Sequence, residues 1–254
     1  MKKNKVIFTI LAFMLFSTLF SLQSFADGLP THVEIRENLK SIVKEENGGF
    51  GLNMWATVVD RDGVVKVVAF SGNDRGDQWP GSRIISAQKA NTANAFSLPG
   101  LALSTANLFS AVQPGGFLYG LQHSNPVNTE VAYRKSSSNS LGTVYDPMIS
   151  FKIGGVNVFG GGLALYDSDG KLLGAIGVSG DSSCADHNIA WKLRHKLNLD
   201  YVPKGVSPTQ DDNIVYDITD GTSASGWGHA ECSPDAAKIA RELPKTHPVR
   251  TREK

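Results

Sequence analysis

Two short motifs in the sequence each place a cysteine and a histidine three residues apart. Cys184 and His187 form a C-x-x-H motif, and His229 and Cys232 form an H-x-x-C motif. If the two cysteines meet in the fold, both histidines come with them. The four side chains would then match a tetrahedral Cys2His2 zinc site. The alternative is a disulfide between Cys184 and Cys232 with two histidines beside it, and the cellular compartment decides between these two interpretations.

The first 26 residues have the pattern of a secretory signal peptide. Three lysines precede an apolar run over 6–22, and Ser24 and Ala26 supply small residues at the −3 and −1 positions of a cleavage site. The run is short for a membrane anchor, so we predict cleavage after Ala26 and a periplasmic or secreted protein without membrane attachment. An oxidising compartment favours the Cys184–Cys232 disulfide over zinc.

Four further polar residues are candidates for chemistry. Lys89 and Thr92 lie on a predicted helix of small residues, Asp186 lies in the first turn of another, and His123 stands alone. Structural roles compete with each of these assignments, since a carboxylate is favoured at a helix N-terminus and a lysine commonly extends to solvent. One functional hypothesis is an enzyme that uses Lys89, Asp186 and a histidine as acid–base groups on a small oxygenated metabolite.

The charge pattern excludes one class and singles out one segment. The 254 residues have a net charge of +1, which becomes −2 once the three lysines of residues 1–26 are removed, so no nucleic-acid partner is expected. Residues 90–129 contain no Asp, Glu, Lys or Arg. This uncharged stretch is explained by a buried helix and loop, by an oligomer interface or by the wall of a ligand pocket.

The elements predicted around these residues alternate between helices and strands. Two hairpins with Asp-x-Asp-Gly turns indicate an antiparallel sheet, because parallel strands need helical crossovers. Helices are predicted over 31–46, 82–96, 101–112, 183–197 and 234–243, and strands over 54–60, 64–71, 156–166, 171–179 and 213–218. On the fourth helix, His195 among Lys192, Arg194 and Lys196 indicates a solvated face.

No linker divides the mature chain. We therefore predict a single domain over 27–244, with a C-terminal extension from about residue 200 and a disordered tail over 245–254.

Several segments occur in an order that resembles the GlcG/HbpS family of haem-binding proteins, which is related to the C-terminal domain of PduO-type proteins. The resemblance also includes Asp186, which lies on the helix after the last of these segments. The segments are Val58-Val59-Asp60-Arg61-Asp62-Gly63, Lys89-Ala90-Asn91-Thr92-Ala93, Gly154-Gly155-Val156 and Gly174-Ala175-Ile176-Gly177-Val178-Ser179-Gly180.

The resemblance, which covers roughly 33–197, implies a fold, a ligand and an assembly. The fold is an α/β (α+β), profilin-like one with an antiparallel five-stranded-type sheet flanked by helices, in homo-oligomers. The ligand is non-covalent haem or a related tetrapyrrole, with a redox-sensing or haem-handling role. The candidate binding residues are His187, His229, His123, Lys89, Thr92 and Asp186. The chain departs from the compact pattern in an insertion over 73–83, in the uncharged stretch and in the extension.

Overall fold

The computed structural model describes residues 28–251, so the predicted signal peptide lies outside the described residues. Its centre is an antiparallel sheet of four strands in the order β2-β1-β4-β3. The strands are β1 Trp55–Asp60, β2 Val65–Phe70, β3 Gly162–Tyr166 and β4 Leu172–Ser179. The two predicted hairpins are both present, β1–β2 and β3–β4, and they pair through β1 and β4. The predicted α/β class with an antiparallel sheet is confirmed.

Helices cover both faces of the sheet. The longer helices are α1 His32–Ile42, α2 Ser82–Phe96, α6 Ser183–Lys196 and α7 Pro234–Thr246. Three one-turn helices lie between α2 and β3: α3 Phe109–Val112, α4 Leu121–Ser124 and α5 Thr129–Ala132. Two-residue strands β5 Ile218–Thr219 and β6 Thr222–Ser223 form a small ribbon in the extension. No helix among residues 28–251 is long and apolar enough to cross a bilayer.

The alternation of side chains along β1 divides the core into two layers. Ala56 and Val58 point into a cluster with α1, α6 and α7, while Trp55 and Val59 point into a cluster with the alanines of α2. Small residues bring α2 very close to the sheet. A Cβ atom built on Gly177 of β4 would lie 2.0 Å from the carbonyl oxygen of Ser86, so only glycine fits there.

The five-stranded sheet and a strand beginning at Val156 were wrong predictions. Residues 150–161 contribute only two isolated bridges, Lys152 with Val64 beside the sheet and Gly154 with Val127. Gly154, Gly155 and Gly161 have positive φ angles of 63°, 79° and 111°, a backbone conformation that cannot continue a strand. The ladder of β3 therefore starts only at Gly162.

Other boundaries differ from the predictions for local reasons. Thr31 caps α1 with the predicted capping box to Glu34, but the helix ends at Ile42 rather than at residue 46. The helix predicted over 101–112 is reduced to a 3-10 turn and α3. No strand forms over 213–217. The carbonyl of Asn213 accepts from the side chain of Asn107, and the side-chain amide of Asn213 donates to the carbonyl of Ala240 on α7.

The extension packs on α6, and its last described residues have partners. The guanidinium of Arg194 makes two bonds to Asp212, at 2.6 and 2.7 Å, and both side chains are fully buried. Arg250 binds Asp200, and the indole N–H of Trp191 donates to the carbonyl of His247 at 2.8 Å. Trp191 and Asp200 thus bind two residues of the segment that the sequence predicts to be a disordered tail.

Candidate functional site

Lys89 and Asp186 form a buried ion pair that joins α2, β4 and α6. The ammonium of Lys89 donates to Oδ2 of Asp186 at 2.6 Å and to the carbonyl of Val178 at 3.0 Å. The other carboxylate oxygen accepts the backbone N–H of Asp181 at 2.9 Å. Burial raises the pKa of Asp186 to about 6, and the charge of Lys89 opposes that rise. Burial lowers the pKa of Lys89.

This ion pair has no opening toward a ligand. The exposed fractions of Lys89 and Asp186 are 0% and 2%. Thr92, one turn further along α2, is also fully buried. Its hydroxyl donates to the carbonyl of Gln88 and accepts the N–H of Asn157 at 3.0 Å. All three residues thus hold the helices and the loop over 153–161 on the sheet.

His187 is completely buried on α6. Its Nε2 lies 3.1 Å from both Oδ1 of Asn213 and the backbone N–H of Ile214. Its Nδ1 has no hydrogen-bond partner within the described residues. Burial lowers the pKa of His187 to about 3, which keeps the ring neutral at physiological pH. No ligand can reach this ring unless the extension moves.

His229 is held between a hydroxyl and a carbonyl. Its Nδ1 donates to the carbonyl of Ala230 at 2.7 Å, because a carbonyl can only accept. Nε2 of the neutral ring then accepts the hydroxyl of Ser183 at 2.8 Å, and that hydroxyl accepts the N–H of Gly160. Burial lowers the pKa of His229 to about 4, with a smaller contribution from the charge of Lys89.

Cys184 and Cys232 form the disulfide that the sequence predicts. A ring nitrogen of His229 and the two sulfurs lie within 4.8 Å of one another. His187 is not part of this group, although it is only three residues from Cys184. Of the four side chains that the spacing predicts to lie together, the two cysteines and His229 do so, and His187 does not.

His123 differs from the other two candidate histidines because it is exposed. It lies on α4, within a segment that covers an apolar cluster containing Leu121 and Val156. Phe117 and Tyr119 of the same segment are 61% and 64% exposed. Phe159, which follows Val158 of this cluster, is 49% exposed. We call Phe117, Tyr119, His123 and Phe159 the His123 face.

The uncharged stretch over 90–129 consequently has two parts. Residues from Ala90 to Val112 are mostly buried, as the simplest interpretation predicted. Residues 113–125 are mostly exposed and carry aromatic side chains of the His123 face.

A cavity of about 800 Å³ lies elsewhere. It is lined by α7, α6 and the loop over 46–50. Phe50, Ile239 and Leu243 supply apolar walls, and Lys238 and His247 add polar groups. Its size suits a small-molecule ligand. The helix predicted over 234–243 gives no sign of this cavity in the sequence, because the cavity forms only where α7 meets distant segments.

Sequence reasoning also missed buried polar residues around the site. The sequence pattern puts Arg194 and Lys192 on a solvated face, but their side chains are 0% and 8% exposed. Arg194 pairs with Asp212 of the extension, and Lys192 binds Glu46 and Asn47. Ser183 was passed over, although it immediately precedes Cys184 at the start of a helix. The signal that could have found it is the run Asp181-Ser182-Ser183 at the start of α6, which is typical of a helix N-terminus.

A family profile agrees with the resemblance seen in the sequence. The profile of a family described as "Haem degrading protein HbpS-like" matches residues 33–193. A Klebsiella pneumoniae protein, ORFY, of the family DUF336, is 23% identical over 66% of this chain and 90% of its own, with a TM-score of 0.43. The structure titled PduOC:Heme Complex is 26% identical over 67% and 96%, with a TM-score of 0.44. No curated protein gives a match.

Proposed function

Because the chain belongs to the HbpS-like family, we propose that it is an exported protein that binds haem non-covalently and has a redox-sensing or haem-handling role. The observation that carries the proposal is the match of residues 33–193 to that family, whose description names haem. Bound haem would supply an iron centre that accepts a nitrogen ligand and exchanges electrons. This chain must supply the ligand and an apolar surface for the macrocycle.

The His123 face is the part of the family-matched region that meets both needs. His123 is exposed, whereas the rings of His187 and His229 are 0% and 3% exposed and have partners at Nε2. Exposed Phe117 and Tyr119 provide flat aromatic surfaces close to it in the chain. We therefore assign iron ligation to His123 and macrocycle contacts to the aromatic residues. Lys89, Thr92 and Asp186 support the scaffold from inside.

The cavity beside α7 is the alternative location for the haem site. It contains His247 and lies partly on Phe50 and Lys192 of the domain. However, most of its lining comes from residues beyond 193, outside the family match. The His123 face lies within the matched residues 33–193, mostly in the uncharged stretch where the chain departs from the compact family pattern. We place haem there because its histidine and aromatic rings are exposed.

Titration of the purified mature protein with hemin tests both haem binding itself and the assignment of His123 as the iron ligand. We expect a saturable, shifted Soret band in the wild type, its loss in His123→Ala, and its retention in His32→Gln and His247→Ala. A non-saturating spectrum in the wild type would overturn haem binding itself. Saturable binding that is unchanged in His123→Ala would overturn only the assigned ligand, and loss in His247→Ala would move the site to the cavity.

Export and self-association are further parts of the proposal. The signal-peptide pattern and the Cys184–Cys232 disulfide both support an oxidising compartment, periplasmic or extracellular. N-terminal sequencing of the protein from fractionated cells should begin at Asp27. The exposed aromatic residues support a homo-oligomer, and light scattering on the mature protein should give a multiple of the monomer mass.

The enzyme hypothesis receives less support. Acid–base groups must reach a substrate, and Lys89 and Asp186 are enclosed within the fold. A thermal-shift screen of small oxygenated metabolites, in which hemin alone stabilises the protein, would count against that hypothesis. A shift of several degrees with such a metabolite would favour it.

A further inference from the structure

The Cys184–Cys232 disulfide lies beside a third group that can bind a metal ion. The two sulfurs and a ring nitrogen of His229 all lie within 4.8 Å of one another. Cys184 and His229 are buried, and Cys232 is exposed. In the oxidised chain neither sulfur is a thiolate, so the group cannot bind a metal ion.

We propose that reduction of this disulfide converts Cys184, Cys232 and His229 into a binding site for a thiolate-preferring cation of the Zn²⁺ class. Two thiolates and one imidazole form a ligand set typical of zinc, and they leave the fourth position open to water. The Cα atoms of the two cysteines are 5.9 Å apart, which places both side chains within reach of a single ion.

His229 already has the support expected of a metal ligand. A ligating histidine almost always has a hydrogen-bond partner at its other ring nitrogen. Nδ1 of His229 has the carbonyl of Ala230 at 2.7 Å, and Nε2 has the hydroxyl of Ser183 at 2.8 Å. Whichever nitrogen binds the ion, the opposite one keeps a partner that orients the ring.

His187 is excluded from this site by its surroundings. Its Nε2 lies 3.1 Å from Oδ1 of Asn213 and from the backbone N–H of Ile214, and it does not join the cluster. The site is therefore Cys2His with one open position, rather than the closed Cys2His2 arrangement that the sequence spacing suggested.

The conversion balances with a dithiol as the reductant. The dithiol gives up two electrons and two protons and becomes a disulfide, and Cys184 and Cys232 become two thiols. Binding of the cation then displaces the two thiol protons. The exposed position of Cys232 gives the reductant access, since the first attack needs only one accessible sulfur.

Co²⁺ is a suitable probe because thiolate ligands give it charge-transfer bands that a disulfide does not. The mature protein is reduced with a phosphine, which leaves no competing thiol, and is titrated with Co²⁺ and then with Zn²⁺. We expect one Co²⁺ per reduced chain, displaced by Zn²⁺, and no such bands in the oxidised chain. His229→Gln should weaken binding at least about tenfold, and the matched control His32→Gln should bind like the wild type.

Two results would overturn the proposal. One is a reduced wild type without thiolate–cobalt bands, whether it stays folded or unfolds as judged by circular dichroism. The other is equal affinity in His229→Gln and the wild type, which would mean that the thiolates alone bind the ion. Neither result bears on hemin binding, which is measured on the oxidised protein.

Discussion

The ammonium of Lys89 lies 2.6 Å from a carboxylate oxygen of Asp186, and solvent reaches neither group. In the sequence both residues resemble binding or acid–base groups. In the fold they form a structural link between two helices on opposite faces of the sheet. The chemistry of a family motif can therefore lie in holding the scaffold together, while the surface that binds the ligand lies elsewhere.

Lys89→Met should destabilise the protein severely. It leaves the Asp186 carboxylate buried without its cation, which typically costs about 3–5 kcal/mol of unfolding free energy. Urea denaturation at pH 7 measures this loss, with Lys245→Met as the control, because Lys245 is 75% exposed. The double variant Lys89→Met/Asp186→Leu should recover part of the loss. A single variant as stable as the control would show that the ion pair contributes nothing.

Acid should destabilise the fold through its neutral histidines. His187 and His229 have folded pKa values of about 3 and about 4, below the ordinary 6.5. Between pH 4 and pH 6.5 the unfolded chain binds more protons than the folded chain, so lowering the pH favours unfolding. Asp186 acts in the opposite sense, because its folded pKa of about 6 makes the folded chain take up a proton first.

The net effect can be measured by urea denaturation at several pH values. The two histidines outweigh Asp186, and we expect the unfolding free energy to fall by roughly 2 kcal/mol from pH 7 to pH 5. His187→Gln should flatten this dependence, and Asp186→Asn should steepen it. A stability that is constant between pH 5 and pH 7 would contradict the assignment of neutral buried histidines.

Local patterns predicted most of the elements and the disulfide. The capping box at Thr31 and the two Asp-x-Asp-Gly turns act over a few residues, so the sequence alone contains their signal. The start of β3 at Gly162 instead of Val156 could not be foreseen, because it depends on the positive φ angle of Gly161. Hydrophobic periodicity does not report such backbone angles.

The site residues were less predictable, since burial depends on segments distant in the sequence. Residues 211–214 of the extension fold over α6 and bind both His187 and Arg194. From the helix pattern alone, Arg194 belongs to a charged, solvated face. His123 was a weaker candidate by sequence, but it is the one that solvent reaches.

Reduction of the disulfide should weaken the attachment of the extension without releasing it. The Cys184–Cys232 bond closes a loop of 48 residues, which corresponds to about 4 kcal/mol in the chain-entropy account. The buried pair Arg194–Asp212 holds the same extension independently. We expect a lower melting temperature on reduction and a further drop in Arg194→Met. Hydrogen exchange over 200–251 measures the loosening, and unchanged exchange after reduction would contradict it.

Gly177→Ala should test how closely α2 lies on the sheet. The added Cβ would lie 2.0 Å from the carbonyl oxygen of Ser86 and 2.5 Å from the backbone nitrogen of Ala90. Backbone atoms cannot move aside as a flexible side chain does, so the whole helix must shift, at a cost of about 3 kcal/mol or more. Gly81→Ala is the matched control, because a Cβ there meets nothing within 4 Å and the residue already has helical angles. Urea denaturation should show a large loss for the first variant and a change of less than about 0.5 kcal/mol for the second. Equal stabilities would mean that α2 does not approach β4 as closely as the structure shows.

Because α2 also carries Lys89, the displacement of α2 in Gly177→Ala should separate Lys89 from Asp186. Adding Lys89→Met to Gly177→Ala should then cost less than it does in the wild type.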